Sequence, residues 1–162
     1  DVAVVTMGPG IMGTGSPFGF SGLEMGFYIN FIKNNGGEPL YIPRISFKDP
    51  RKRHYGISHH TLNVLSYIVD VPVPIVLPIM EKGKINFVMK QLKKYRLTEK
   101  YPIIFKCGRD IVDSLKYFNL NPSTMGRTLS EDREFFYTLG AVGKYGLSLL
   151  KKWYVIFYLS PA

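Results

Sequence analysis

All three histidines of the chain, His54, His59 and His60, fall within seven residues. Arg51, Lys52 and Arg53 adjoin them, and Arg44 and Lys48 lie just upstream. Imidazoles beside guanidiniums suit two linked tasks. The guanidiniums hold a phosphate or carboxylate through charge-assisted, often bidentate hydrogen bonds, and an imidazole moves a proton to or from it. Ser58 can cap a helix that starts at His59, and the positive end of a helix disfavours imidazolium. His59 or His60 is therefore expected to stay neutral and to act as a catalytic donor or base, with Arg51 and Arg53 binding the anion. No metal is expected there. The nearest carboxylate is Asp49, the surrounding cations oppose a metal, and adjacent histidines at a helix start point in different directions. The plainer alternative is a solvated basic loop.

A second candidate lies near the start, where residues 8–22 read GPGIMGTGSPFGFSG. The stretch follows an apolar run at residues 2–7 that reads as a buried strand, and it precedes helix-start chemistry. Strand, glycine-rich turn and helix in that order can aim backbone N–H groups at an anion. Residues 8–13 match G-x-G-x-x-G, the dinucleotide fingerprint, but the rest of that motif fails. The helix starts too late, after Ser21, and the acid expected about 20 residues on is absent. No Gly-Lys-Ser/Thr ends the loop, so it is not a P-loop either. An anion cradle built from Gly8, Gly10, Gly13, Thr14, Gly15 and Ser21 remains, against a loop that merely packs on a neighbour. Gly22 and Gly26, one turn apart, allow close approach of a ligand or of another segment.

Thr6-Met7-Gly8 recurs as Thr124-Met125-Gly126, followed by Arg127. If both copies abut one cleft, Thr124, Gly126 and Arg127 join the ligand-binding set. No nucleophile stands out. Cys107 reads as a small buried hydrophobe rather than a reactive thiol, and G-x-S-x-G, H-E-x-x-H and paired-Cys motifs are absent.

The elements that would position these residues alternate. Strands are predicted over residues 2–6, 40–47, 73–79, 101–107 and 153–159. Helices are predicted after the Ser21–Glu24 capping box, with Phe20 and Met25 as a hydrophobic staple; after Ser58; over 85–94, with Lys90, Lys93 and Lys94 facing water; after Asp110; and after Ser130. Gly140, Gly143 and Gly146 in the last helix would permit close packing. The pattern predicts an α/β fold, a mostly parallel, doubly wound, Rossmann-like sheet with helices on both faces. Ligands then sit beyond the carboxyl ends of the strands, which would gather the glycine loop, the 48–60 loop and the segment after Cys107. Residues 1–150 form one domain, and 151–162 a tail with an extra strand.

Apolar content of 46% and charged content of 20% fit a globular chain,. No run approaches the roughly 20 apolar residues that cross a bilayer, so no membrane partner is expected. The net charge of +9 is unevenly spread, because residues 1–32 hold no Lys or Arg. A lone cysteine suits a reducing, cytoplasmic setting. The Asp start inside an apparent strand suggests a fragment or a processed chain.

The blocks VVTMGPGIMGTG, GFSGLEMG, PRISFKDPRKRHYGISHHT and STMGRTLSEDREFF together resemble a family of bacterial proteins known as a domain of unknown function. The resemblance runs over about residues 2–146 and implies that this chain is the C-terminal half of a longer protein. It implies no reaction and no cofactor. The lysine-rich 82–100 region departs most from it, and the tail from Lys151 has no counterpart. The leading expectation is a site for a phosphorylated or otherwise anionic small molecule. The alternatives are an interaction module that packs on a missing half or on another subunit of a homo-oligomer, and RNA binding by the basic surface, for which no clamp motif is evident.

Overall fold

The computed structural model of the chain describes residues 2–6, 12–14 and 16–158, with side chains as far as residue 150. It is a mixed helix-and-sheet fold. After a 3-10 turn at Ser21–Leu23, helix α1 spans Glu24–Asn34. Strands β1 (Ile45–Ser46) and β2 (Gly56–Ile57) pair antiparallel, Ile45 opposite Ile57, and the loop between them carries a 3-10 turn at Lys52–His54. Helix α2 (His59–Asn63) continues as a π-helical stretch, Val64–Ile68. Strand β3 (Ile75–Pro78), helices α3 (Lys82–Lys94) and α4 (Leu97–Lys100) and strand β4 (Ile103–Lys106) follow. Helix α5 (Ile111–Tyr117) and the long α6 (Arg133–Tyr158) complete the chain.

The β3–β4 pair is parallel, with Ile75 opposite Ile103, and its connection is helical, as a parallel crossover requires,. Val88 and Leu92 carry α3 onto the core while Lys90, Lys93 and Lys94 face water, as their spacing predicts,. The core gathers Ile45, Ile57, Leu62, Leu65, Leu77 and Leu97 with these two. A second cluster, Val76 with Ala141 and Val142, seats α6 on β3.

The sheet differs from expectation. Among the described residues there are two two-stranded sheets, one antiparallel and one parallel, rather than one doubly wound sheet. Residues 2–6 form no strand, and Val4 is 81% exposed. An apolar run reports β-propensity and nothing about whether a partner edge lies within reach. Residues 153–158 continue α6 and are not a strand, and residue 159 lies outside the described residues.

Three helix starts also differ. Ser21 forms no side-chain cap, and its N–H donates to Met12 O at 2.9 Å. Phe20, instead of stapling to Met25, stacks on His60. Ahead of α6 the reciprocal turn is made by Thr128 and Glu131, with the Thr128 N–H 2.7 Å from the Glu131 carboxylate, so Ser130 is not the cap. Asp110 likewise makes no cap to α5 and pairs with Lys144 at 2.7 Å.

Candidate functional site

The loop between β1 and β2 is organised by Asp49, a carboxylate only 4% exposed. Arg51 grips it as a fork, Nε to Oδ1 and Nη2 to Oδ2, both at 2.9 Å, and the Arg51 N–H adds a third bond at 3.1 Å. Arg44 Nη2 donates to the same Oδ2 at 3.4 Å, and Arg127 Nη2 stands 3.8 Å from it. The Arg51 hydrogen bonds hold the Asp49 carboxyl well below the usual carboxylate range, against the opposing effect of its burial,.

A second buried carboxylate extends the network. Asp132 Oδ2 accepts from Arg127 Nε at 3.0 Å and from Ser46 Oγ at 2.7 Å. Ser46 Oγ in turn accepts the Lys48 and Asp49 N–H groups, which fixes the loop at its base. Arg44 Nη1 donates to Thr124 Oγ1 at 3.1 Å, and its guanidinium lies over the Phe135 ring.

Arg127 reaches this centre from a tight turn closed by the Thr124–Arg127 bridge. Met125 (φ 51) and Gly126 (φ 76) both take the left-handed conformation, the signature of a type I′ turn, for which Gly at the second position is the easy residue,. Three guanidiniums thus surround two carboxylates, and Arg53 adds a fourth cation alongside. The centre keeps net positive charge. Arg127 Nη2 and Asp132 Oδ1 are buried without a hydrogen-bond partner.

The histidines form the adjoining wall. Ser58 caps α2 as expected, its Oγ accepting the His60 N–H at 3.3 Å. His54 Nε2 accepts from Arg53 Nε at 3.3 Å, so the ring proton is assigned to Nδ1, 2.8 Å from Ser58 Oγ,. Ring centroids of His54, His59 and His60 lie 4.1–5.2 Å apart. Burial, with Arg51 adding to it, pushes His54 down to about 4. Burial, then His59 and Arg53, pushes His60 down to about 4 as well. His59 is lowered by burial and by Arg53, and its Nδ1 is buried without a partner. All three imidazoles are therefore neutral near pH 7, able to accept a proton or a hydrogen bond. Ser58 is fully buried, so its contact with His54 does not make it a reachable nucleophile. Among the described residues no group of His, Cys, Asp or Glu is arranged to hold a metal ion.

The glycine-rich stretch joins this wall through its second half. Gly13 and Phe20 bridge antiparallel, and the Thr14 N–H donates to Gly19 O at 2.7 Å. Phe20 stacks on His60 with centroids 4.1 Å apart, and Asn63 Nδ2 donates to Pro17 O at 2.5 Å. The Thr14 hydroxyl is engaged within its own loop, by Ser16 Oγ and Gly19 O. Gly8, Gly10 and Gly15 lie outside the described residues. Gly26 meets Ile68 and Val64, so its small size serves helix packing.

Arg51, Arg53, His59, His60, Thr124 and Arg127 are thus brought into one contiguous network. The segment after Cys107 is not part of it, because Gly108 lies against the α6 backbone instead. Sequence reasoning missed the hub. Asp49 is the one Asp or Glu between Glu38 and Asp70, and a lone acid inside a run of cations is the signal that marks it. Ser46 and Asp132 carried no comparable signal, because the bond between them joins segments far apart in sequence.

No curated protein and no solved structure matches this chain. The blocks that carry this network, from the glycine-rich stretch through the Asp49 loop and α2 to the Arg127 turn, fall within residues 1–143, over which the sequence matches a family described as "Protein of unknown function (DUF3866)", and the chain belongs to that family.

Proposed function

We propose that the chain binds a phosphorylated or otherwise anionic small molecule at the arginine–histidine network. The observation that carries this reading is uncompensated guanidinium charge fixed beside three neutral imidazoles. Arg51 and Arg53 take the anion, and Arg127 supplies field from behind. His59 or His60 exchanges a proton with the ligand if the site is catalytic. Gly13 and Gly126 add backbone N–H groups, and Thr14 and Ser21 line the approach. A reducing, cytoplasmic setting agrees with the free Cys107.

The test is calorimetry and thermal shift with inorganic phosphate, pyrophosphate and sugar phosphates. A ligand that binds only the folded state raises Tm with concentration. Arg53→Gln, at an exposed side chain, should remove that rise while the unliganded Tm stays close to wild type. No shift at millimolar concentrations, or a shift indifferent to Arg53, rejects the reading.

A second reading, a module that packs on another subunit, is favoured by one observation. Helix α1 turns Phe27, Tyr28 and Phe31 toward solvent, where a surface helix ordinarily carries polar residues,.

A further inference from the structure

At the opposite end of the α2–π-helical unit from the histidines, Tyr67, Tyr95, Lys94, Arg96 and Lys100 line an open cleft of about 510 Å3. This is the size range of small-molecule sites. Two backbone irregularities meet there. Tyr67 sits in the π-helical stretch, and Arg96 holds a left-handed φ of 57° without being glycine. Such departures persist only where the surroundings enforce them, and both kinds recur at functional sites. For the π-helical stretch the enforcement is visible: Lys100 Nζ and Tyr101 OH both reach the carbonyls of Leu65 and Val69, and Asn30 Nδ2 donates to Ile68 O at 2.9 Å.

Tyr67 is nonetheless 62% exposed. Phe18 braces it edge to face, with centroids 5.3 Å apart, so the ring is positioned without being covered. Arg96 has Glu99 at 3.2 Å, but both side chains are mostly in solvent, and such a pair holds its cation weakly,. Exposed aromatic rings interleaved with cations recognise a planar base by stacking and its phosphate by charge.

We propose that this cleft binds a nucleotide, its base stacked on Tyr67 and its phosphate against Lys94 and Arg96. A free nucleotide and one unit of a single-stranded nucleic acid share this chemistry. The site is separate from the arginine–histidine network and stands independently of it.

The intact chain is titrated with AMP by calorimetry and with a fluorescein-labelled single-stranded RNA by anisotropy. Binding of AMP alone supports a free nucleotide, and RNA binding that weakens with salt supports a strand. Tyr67→Ala should weaken whichever ligand binds about tenfold or more, with Tm unchanged, and Lys94→Gln should weaken it further. Arg53→Gln should leave it untouched. The proposal is overturned if neither probe binds at millimolar concentration, if Tyr67→Ala changes nothing, or if Arg53→Gln removes the binding.

Discussion

A buried carboxylate survives as an anion only when its lone pairs are met, and Asp49 meets them with Arg51 in a fork and Arg44 at the second oxygen,. The same guanidiniums work against the neighbouring imidazoles. Burial and nearby positive charge both penalise imidazolium, which places His54 and His60 at about 4, below the ordinary histidine value of 6.5,. The unfolded chain then binds more protons than the folded one as pH falls below about 6.5. The stabilisation from these histidines is complete above that pH and is lost as pH falls toward 4. Urea unfolding between about pH 7 and pH 5 should show a loss of about 2 kcal/mol, half the unscreened figure for two histidines because His60 is partly open to solvent. Asp49 does not confound the result, because its lowered carboxyl takes up protons only at or below the ordinary aspartate range. His60→Gln should flatten the slope, and a stability indifferent to pH across this interval would contradict the neutral-imidazole assignment.

Among the elements, α6 meets the β4–α5 connection backbone to backbone. A Cβ at Gly140 would stand 2.3 Å from Gly108 O, and one at Gly108 would stand 1.8 Å from Tyr137 O. Nothing lies within 4 Å of a Cβ at Gly143, one turn along the same helix. Two chemically identical substitutions should therefore act in opposite directions. Gly140→Ala forces the helix off its neighbour at a cost of about 1–3 kcal/mol. Gly143→Ala gains helix propensity, up to about 1 kcal/mol. Paired denaturation curves check both, and equal effects would show that α6 does not rest on Gly108. The contrast also shows what the sequence could carry. Gly140, Gly143 and Gly146 read alike as small residues in one helix, and only the placement of Gly108 separates them. Local signals did survive. Ser58 caps α2, Val88 and Leu92 turn α3 inward, and β3 and β4 lie where residues 73–79 and 101–107 put them. The residue types of the site were legible as well, because His59, His60, Arg51 and Arg53 cluster along the chain. Strand partnership and the convergence on Asp49 were not, since both depend on contacts between segments far apart in sequence, such as Ser46 with Asp132.

The whole molecule divides its surface by charge. The chain carries +9, yet residues 1–32 contain no Lys or Arg. That portion, free of cations, presents Phe27 at 61% exposure and Phe31 at 68%, one helical turn apart, with Tyr28 beside them. Contiguous apolar surface of this kind marks interaction sites on soluble proteins. Two copies of a basic protein repel across most of their surfaces, so under the subunit-packing reading the aromatic face of α1 is where they would meet. Self-association through α1 should therefore persist at high salt, unlike binding of an anion at the arginine network, which screening weakens. Light scattering and sedimentation over a range of protein concentrations give the oligomeric state directly. Replacing Phe27 and Phe31 together by Glu should weaken association more than tenfold without loss of fold, because neither side chain is part of the core. A chain that is monomeric at every concentration, or a dimer that survives the double substitution, would leave the α1 face without this role.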